Sequence, residues 1–86
     1  MEGYIYILRF KNGKYYTGST NNLERRLIQH TKGHTSSTKN LGEFELVFAQ
    51  KMPNIQIARS IERKIKSWKR RDFIEKIIND GFIKTI

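Results

Sequence analysis

Two tyrosines, an arginine, a histidine and a glutamate are residue types that could do acid-base and electrostatic chemistry together. Tyr6 and Tyr16 are ten residues apart, Arg26 follows ten residues on, His30 lies four beyond it, and Glu62 sits in the second half of the chain. Hydrolytic chemistry in general needs a base for water and positive charge where negative charge develops in the transition state. A phenol, with an ordinary pKa of about 10, can serve as the base only beside positive charge. A guanidinium matches phosphate, and a carboxylate can hold a hard divalent cation. Each residue also has a plain structural use. Strand tyrosines commonly pack half-buried, an arginine stem can lie on a core, a histidine can close a helix, and Glu62 can pair with Lys66 one turn on.

The surrounding composition suits a polyanion. The 86 residues carry 17 Lys plus Arg against 8 Asp plus Glu, a formal charge of +9, while 37% are hydrophobic. That is too apolar for a disordered basic tail, so the charge sits on a folded surface and nucleic acid is the leading partner. A basic protein without such a partner, or one that touches anionic membrane, is the alternative. A chain this short has room for one core, which gives a single domain over 1–86. Without cysteine there is no disulfide framework, thiolate zinc site or cysteine nucleophile, and two histidines are too few for a typical zinc cage. A reducing, cytoplasmic setting fits. The start of the chain lacks a basic segment followed by an apolar one, and no apolar run approaches the roughly 18–20 residues of a membrane span.

The elements that must position these groups can be read in order. Tyr4 to Phe10 and Lys14 to Gly18 are rich in aromatic and β-branched residues and flank Asn12-Gly13, a strong hairpin signal. A two-residue turn would put Tyr6 and Tyr16 on opposite faces. A three-residue turn over Lys11-Asn12-Gly13, with Gly13 left-handed in a bulge, pairs Leu8 with Tyr16 and puts both tyrosines on one face. Asn21 or Asn22 caps a helix from Leu23 to Thr31, with Leu23 and Leu27 inward, Arg26 at the edge of the core and Arg25 toward solvent. His34 to Asn40 is a polar loop, and Glu43 to Gln50 is a third strand. Asn54 caps a helix whose Ile57, Ile61, Ile65 and Trp68 form a buried stripe, with Glu62 at its boundary. Arg70 to Asn79 is a last amphipathic helix that stops near Gly81. The order β-β-α-β-α-α gives an α+β fold, a small, mainly antiparallel three-stranded sheet covered by helices.

Tyr4-Ile5-Tyr6, then Tyr16-Thr17-Gly18, then Asn21-Asn22-Leu23-Glu24-Arg25-Arg26-Leu27 and His30 resemble the signature of the GIY-YIG nuclease superfamily. The resemblance extends through Glu62 to about Asp80. It is nearest to short, stand-alone bacterial proteins of the excinuclease-like kind. Tyr4 replaces the first glycine of the signature and Thr17 its second isoleucine, and Ser19 stands where the excinuclease itself has a lysine. The resemblance implies that Tyr6 or Tyr16 acts as or near the general base, with Tyr6 preferred and Tyr16 orienting the water. Arg26 would contact the scissile phosphate, His30 would belong to the same site, and Glu62 would hold a divalent metal, Mg²⁺ or Mn²⁺. Asn79 is a candidate for an asparagine common in the family's last helical region.

Lys66, Lys69, Arg70 and Arg71, with Lys64, form a basic run that could track phosphates, while Trp68 is expected in the core. No base-reading motif is visible, so recognition should follow backbone and shape. The expected function is a metal-dependent DNA endonuclease, structure-selective or directed by a protein partner, acting in DNA repair or processing. The alternatives are a non-catalytic nucleic-acid-binding module on the same fold, and a protein-interaction domain whose charge only maintains solubility.

Overall fold

The computed structural model describes residues 2–31, 43–68 and 70–83; the expected loop at 34–40 and Lys69 lie outside them. Its elements are β1 (Gly3–Phe10), β2 (Tyr15–Thr20), α1 (Leu23–Thr31), β3 (Phe44–Met52), α2 (Ile55–Trp68) and α3 (Arg71–Asp80). The order and class are those expected, with β2 and β3 each running about two residues further than their patterns suggest. Among the described residues no helix is long and apolar enough to cross a membrane.

The sheet order is β2-β1-β3, with both pairings antiparallel. The first turn takes the three-residue form. Gly13 adopts φ 87°, its N–H donates to the Phe10 carbonyl at 2.8 Å, and the Phe10 N–H donates to the Lys14 carbonyl at 2.8 Å. Leu8 therefore faces Tyr16 and Tyr6 faces Gly18. Tyr6, Leu8 and Phe10 form one core cluster, joined by Tyr16 and by Leu23 and Leu27 of α1. Ile5 and Ile7 point the other way, into a second cluster with Phe48, Met52, and Ala58 and Ile65 of α2. The sheet is thus a central layer with α1 on one face and α2 with α3 on the other.

β3 serves both layers because of a bulge. Ile7 pairs with Phe48 but Leu8 pairs with Leu46, so Val47 is an extra residue in the ladder. The shift turns Phe44 toward the α1 side, where it packs with the Tyr6 cluster, while Phe48 and Met52 stay on the α2 side.

Side-chain caps start two of the helices. Asn22 Oδ1 accepts the Arg25 N–H at 3.1 Å and Asn54 Oδ1 accepts the Ile57 N–H at 2.9 Å, which selects Asn22 over Asn21 as the α1 cap. Gly81, at φ 77°, closes α3 by donating to the Ile77 carbonyl. The expected stripe of α2 is displaced. Ala58 and Ile65 are the fully buried positions, while Trp68 is 45% exposed, and so is not the core residue its spacing suggests. Trp68 packs on Phe73 of α3 at 5.1 Å between centroids, at one end of an open apolar groove of about 690 Å³ between the two helices.

Candidate active site

Tyr6 is the centre of a polar cluster on the α1 side of the sheet. Its hydroxyl lies 2.8 Å from His30 Nε2 and accepts a hydrogen bond from Arg26 Nε at 3.2 Å. Both partners come from α1, where positions 26 and 30 share a face one turn apart. The ring fits only because its cross-strand neighbour is glycine. A Cβ on Gly18 would meet Tyr6 Cζ at 2.5 Å and Cε1 at 2.9 Å.

Burial sets the protonation of this cluster. Tyr6 is wholly buried, and desolvation pushes its hydroxyl up to about 12 against the opposing effect of the Arg26 hydrogen bond. Burial, aided by the Arg26 charge, brings His30 down to about 4. Near neutral pH the phenol is therefore protonated and the imidazole uncharged. A guanidinium can only donate, so the phenolic proton goes to His30 Nε2, and the imidazole proton resides on Nδ1. The sequence of donors runs from Arg26 to Tyr6 to His30. A wholly enclosed hydroxyl in that sequence has no open face for a reacting water, which runs against the expectation that Tyr6 is the base.

Tyr16 is more open. Its ring lies 6.2 Å from that of Tyr6 and 5.0 Å from that of His30, so the three rings pack as one group. The Tyr6 hydroxyl first, and then Tyr16, raise the pKa of Arg26, so both phenols bear on the same guanidinium. Arg26 is also steadied by Gln29, whose Oε1 accepts from Nη1 at 3.4 Å.

Glu62 approaches from the opposite layer. Ser19 Oγ donates to its Oε1 and Lys66 Nζ lies 2.8 Å from its Oε2, with the side chain 20% exposed. Lys66 Nζ also stands 5.3 Å from the centroid of the Tyr16 ring. β2 is an edge strand, so α1 and α2 reach around it and define an open cleft of about 730 Å³. Ser19, Arg26 and Glu62 line it, with Arg25, Arg59 and Arg63 around them. A second depression of about 550 Å³ follows the same strand and is lined by Lys14, Tyr16, Lys66, Arg70 and Arg71.

The five principal residues expected from sequence therefore gather around β2. Asn79 does not join them; it is exposed in the last turn of α3 and absent from both depressions. Arg70 and Arg71 border the second depression but carry their own counter-charges, Asp72 at 2.7 Å and Glu75 at 3.7 Å. Arg59 and Arg63 are additions that sequence reasoning missed, and Arg25, expected only to face solvent, lies on the cleft. The signal for the α2 pair is available in their spacing, because positions 59, 62, 63 and 66 lie on one side of a helix.

A divalent cation could find a place here only at Glu62. Among the described residues there is no group of three His, Cys, Asp or Glu able to hold a metal. One carboxylate beside a serine hydroxyl, open to water and to an incoming phosphate, suits a hydrated hard cation such as Mg²⁺ or Mn²⁺ and does not suit zinc.

Comparison with known proteins bears on the family and the fold. Residues 2–77 match the family model of the GIY-YIG catalytic domain. A UPF0213 protein of Oceanobacillus iheyensis is 42% identical over 64 residues, spanning 73% of this chain and 74% of that protein. The UPF0213 protein YhbQ of Escherichia coli is 30% identical over 79 residues, 91% of this chain and 78% of its own length. The solution NMR structure of the UPF0213 protein BH0048 from Bacillus halodurans superimposes with a TM-score of 0.60 at 33% identity, covering 94% of this chain and 87% of that one.

Proposed function

The chain belongs to the GIY-YIG catalytic-domain family, and from that premise we propose that it is a metal-dependent DNA endonuclease that hydrolyses phosphodiester bonds in the cleft along β2. The observation that carries this reading is the placement of Arg26, held by a buried phenol on one side and opening on the other into a cleft shared with Ser19 and Glu62.

In this reading Arg26 binds the scissile phosphate and stabilises the charge that grows on it in the transition state. Tyr6 is a positioning residue, since its hydroxyl fixes Arg26 Nε and is itself fixed by His30. Tyr16 is the phenol that orients the attacking water and takes its proton, with the Lys66 ammonium 5.3 Å from its ring centroid. That assignment reverses the one preferred from sequence, because the open phenol is Tyr16. Glu62 would hold the cation, with Ser19 orienting the carboxylate; when bound, Mg²⁺ or Mn²⁺ neutralises phosphate charge and stabilises the leaving oxygen. Arg25, Arg59, Arg63, Lys14 and the basic run that includes Lys66, Lys69, Arg70 and Arg71 would follow the backbone of the DNA on both sides of the bond cut. Cations of this kind hold a phosphate backbone whatever its sequence, which supports selection by DNA structure or by a protein partner, in repair or processing of DNA.

The test is to incubate the protein with single-stranded, duplex, flapped and branched DNA, with and without Mg²⁺ or Mn²⁺. Metal-dependent cleavage of at least one of these substrates, lost in Arg26→Ala, is the expected result. Salt-sensitive binding to every form with cleavage of none would make the protein a binding module on a nuclease fold.

A further inference from the structure

Lys66 belongs to the basic run, and although its side chain is half exposed, its ammonium is held on the one carboxylate that lines the cleft. Nζ lies 2.8 Å from Glu62 Oε2, while Ser19 donates to the other oxygen. Both oxygens that a metal would use are therefore already engaged by donors, one of them cationic. The same Nζ stands 5.3 Å from the centroid of the Tyr16 ring, and Lys66 lines the second basic depression along β2 while its partner Glu62 lines the first. A short swing of a flexible four-carbon stem would take it from the carboxylate to a phosphate lying beside Tyr16.

We propose that Lys66 is a resident counter-ion which occupies Glu62 in the free protein and leaves it for a DNA phosphate, so that substrate binding opens the carboxylate to the divalent cation. The proposal rests on the reading of Glu62 as the metal-holding residue and adds an order of events. Without DNA, a cation must displace the ammonium and then sit beside its positive charge. With DNA bound, the ammonium is drawn to the phosphate and the carboxylate is freed. Linkage requires the converse, that the divalent cation strengthens DNA binding by the same factor. The geometry is available because Lys66 is one helical turn after Glu62, on the side of α2 that faces β2. The arrangement would also limit metal loading when no substrate is present.

The experiment measures Mn²⁺ affinity directly, by the electron paramagnetic resonance signal of free Mn²⁺, with and without a phosphorothioate oligonucleotide that resists cleavage. The wild-type protein should bind Mn²⁺ weakly alone and more tightly with the oligonucleotide. Lys66→Met should bind Mn²⁺ about three- to tenfold more tightly without DNA, and the oligonucleotide should add less to that affinity than it does in the wild type. Lys66→Arg, which keeps the charge, should stay within about twofold of the wild type, and circular dichroism should show all variants folded. If Lys66→Met binds Mn²⁺ no more tightly than the wild type while Glu62→Gln weakens it, the metal site stands and the exchange is refuted. If Glu62→Gln binds Mn²⁺ as the wild type does, the assignment of the metal to Glu62 fails, and the exchange with it.

Discussion

Tyr6 has the right residue type for a catalytic base and the wrong environment for one. Enclosed between His30 and Arg26, it is held protonated, and in the proposed mechanism its contribution is to aim a guanidinium. The register that places both tyrosines on one face is legible in Asn12-Gly13. The depth of Tyr6 is not, because it depends on α1 closing over the strand. Gly18 shows how tightly the ring is seated. Gly18→Ala should push the Tyr6 ring out of place, cost about 1–3 kcal/mol in urea denaturation, and lower cleavage well beyond what the stability loss explains. Full activity in a folded Gly18→Ala would show that the seat of Tyr6 does not matter. His30 gives a second test. Its folded pKa, about 4, lies below the ordinary 6.5, so the unfolded chain binds the extra proton between those values. The stabilisation is complete above about pH 6.5 and is lost as pH falls toward 4. Urea midpoints at pH 7 and pH 5 should therefore differ more in the wild type than in His30→Gln; equal differences would place a charged imidazole in the cluster.

At the scale of elements, the helices and strands are mostly visible as periodicity and caps, and the departures occur where one element serves two neighbours. Leu46, Val47 and Phe48 form an apolar run with no alternation, and only the bulge at Val47 explains it. The extra residue changes which face each side of the strand supplies, so that Phe44 reaches the Tyr6 cluster and Phe48 the Ile5 cluster. Deleting Val47 would remove the extra residue and leave a regular ladder with Phe48 opposite Ile7, Leu46 opposite Leu8 and Phe44 opposite Phe10, losing only the Val47 side chain packed on the Ile5 cluster. The deletion should therefore keep a cooperative urea transition at a lowered midpoint, and loss of the cooperative transition would mean that Phe44 and Phe48 depend on the bulge itself to stay in their two layers. On α2, the stripe suggested by Ile57, Ile61, Ile65 and Trp68 is in fact centred on Ala58 and Ile65. Ala58 gives no strong sequence signal, and it is buried because α2 crosses close to β1. The same rotation turns Arg59, Glu62, Arg63 and Lys66 toward the β2 edge, and this is how two further arginines enter the cleft.

For the whole molecule, the net charge of +9 is distributed to match the cleft. Arg70 and Arg71, prominent in the sequence, are partly offset by Asp72 and Glu75, whereas Arg25, Arg59 and Arg63 surround Glu62 and Arg26. Composition reveals the charge, but only the packing of α1 and α2 around an edge strand reveals where it converges. DNA affinity should fall with salt at a slope of roughly −0.9 for each phosphate neutralised in duplex DNA. Changing Arg25, Arg59 and Arg63 together to Gln should make the slope shallower by about 0.9 for each side chain that reaches a phosphate; an unchanged slope would move the DNA path off the cleft. In the proposed mechanism Arg26, held by Tyr6, works on the phosphate in the transition state rather than merely gripping DNA. Single-turnover cleavage by Arg26→Ala at saturating protein tests this most directly. The predicted result is a rate lower by about 100-fold or more, the effect of losing one transition-state contact of about 3 kcal/mol, with DNA affinity within about threefold of the wild type. Cleavage at the wild-type rate, or a loss fully recovered by raising the protein concentration, would contradict it.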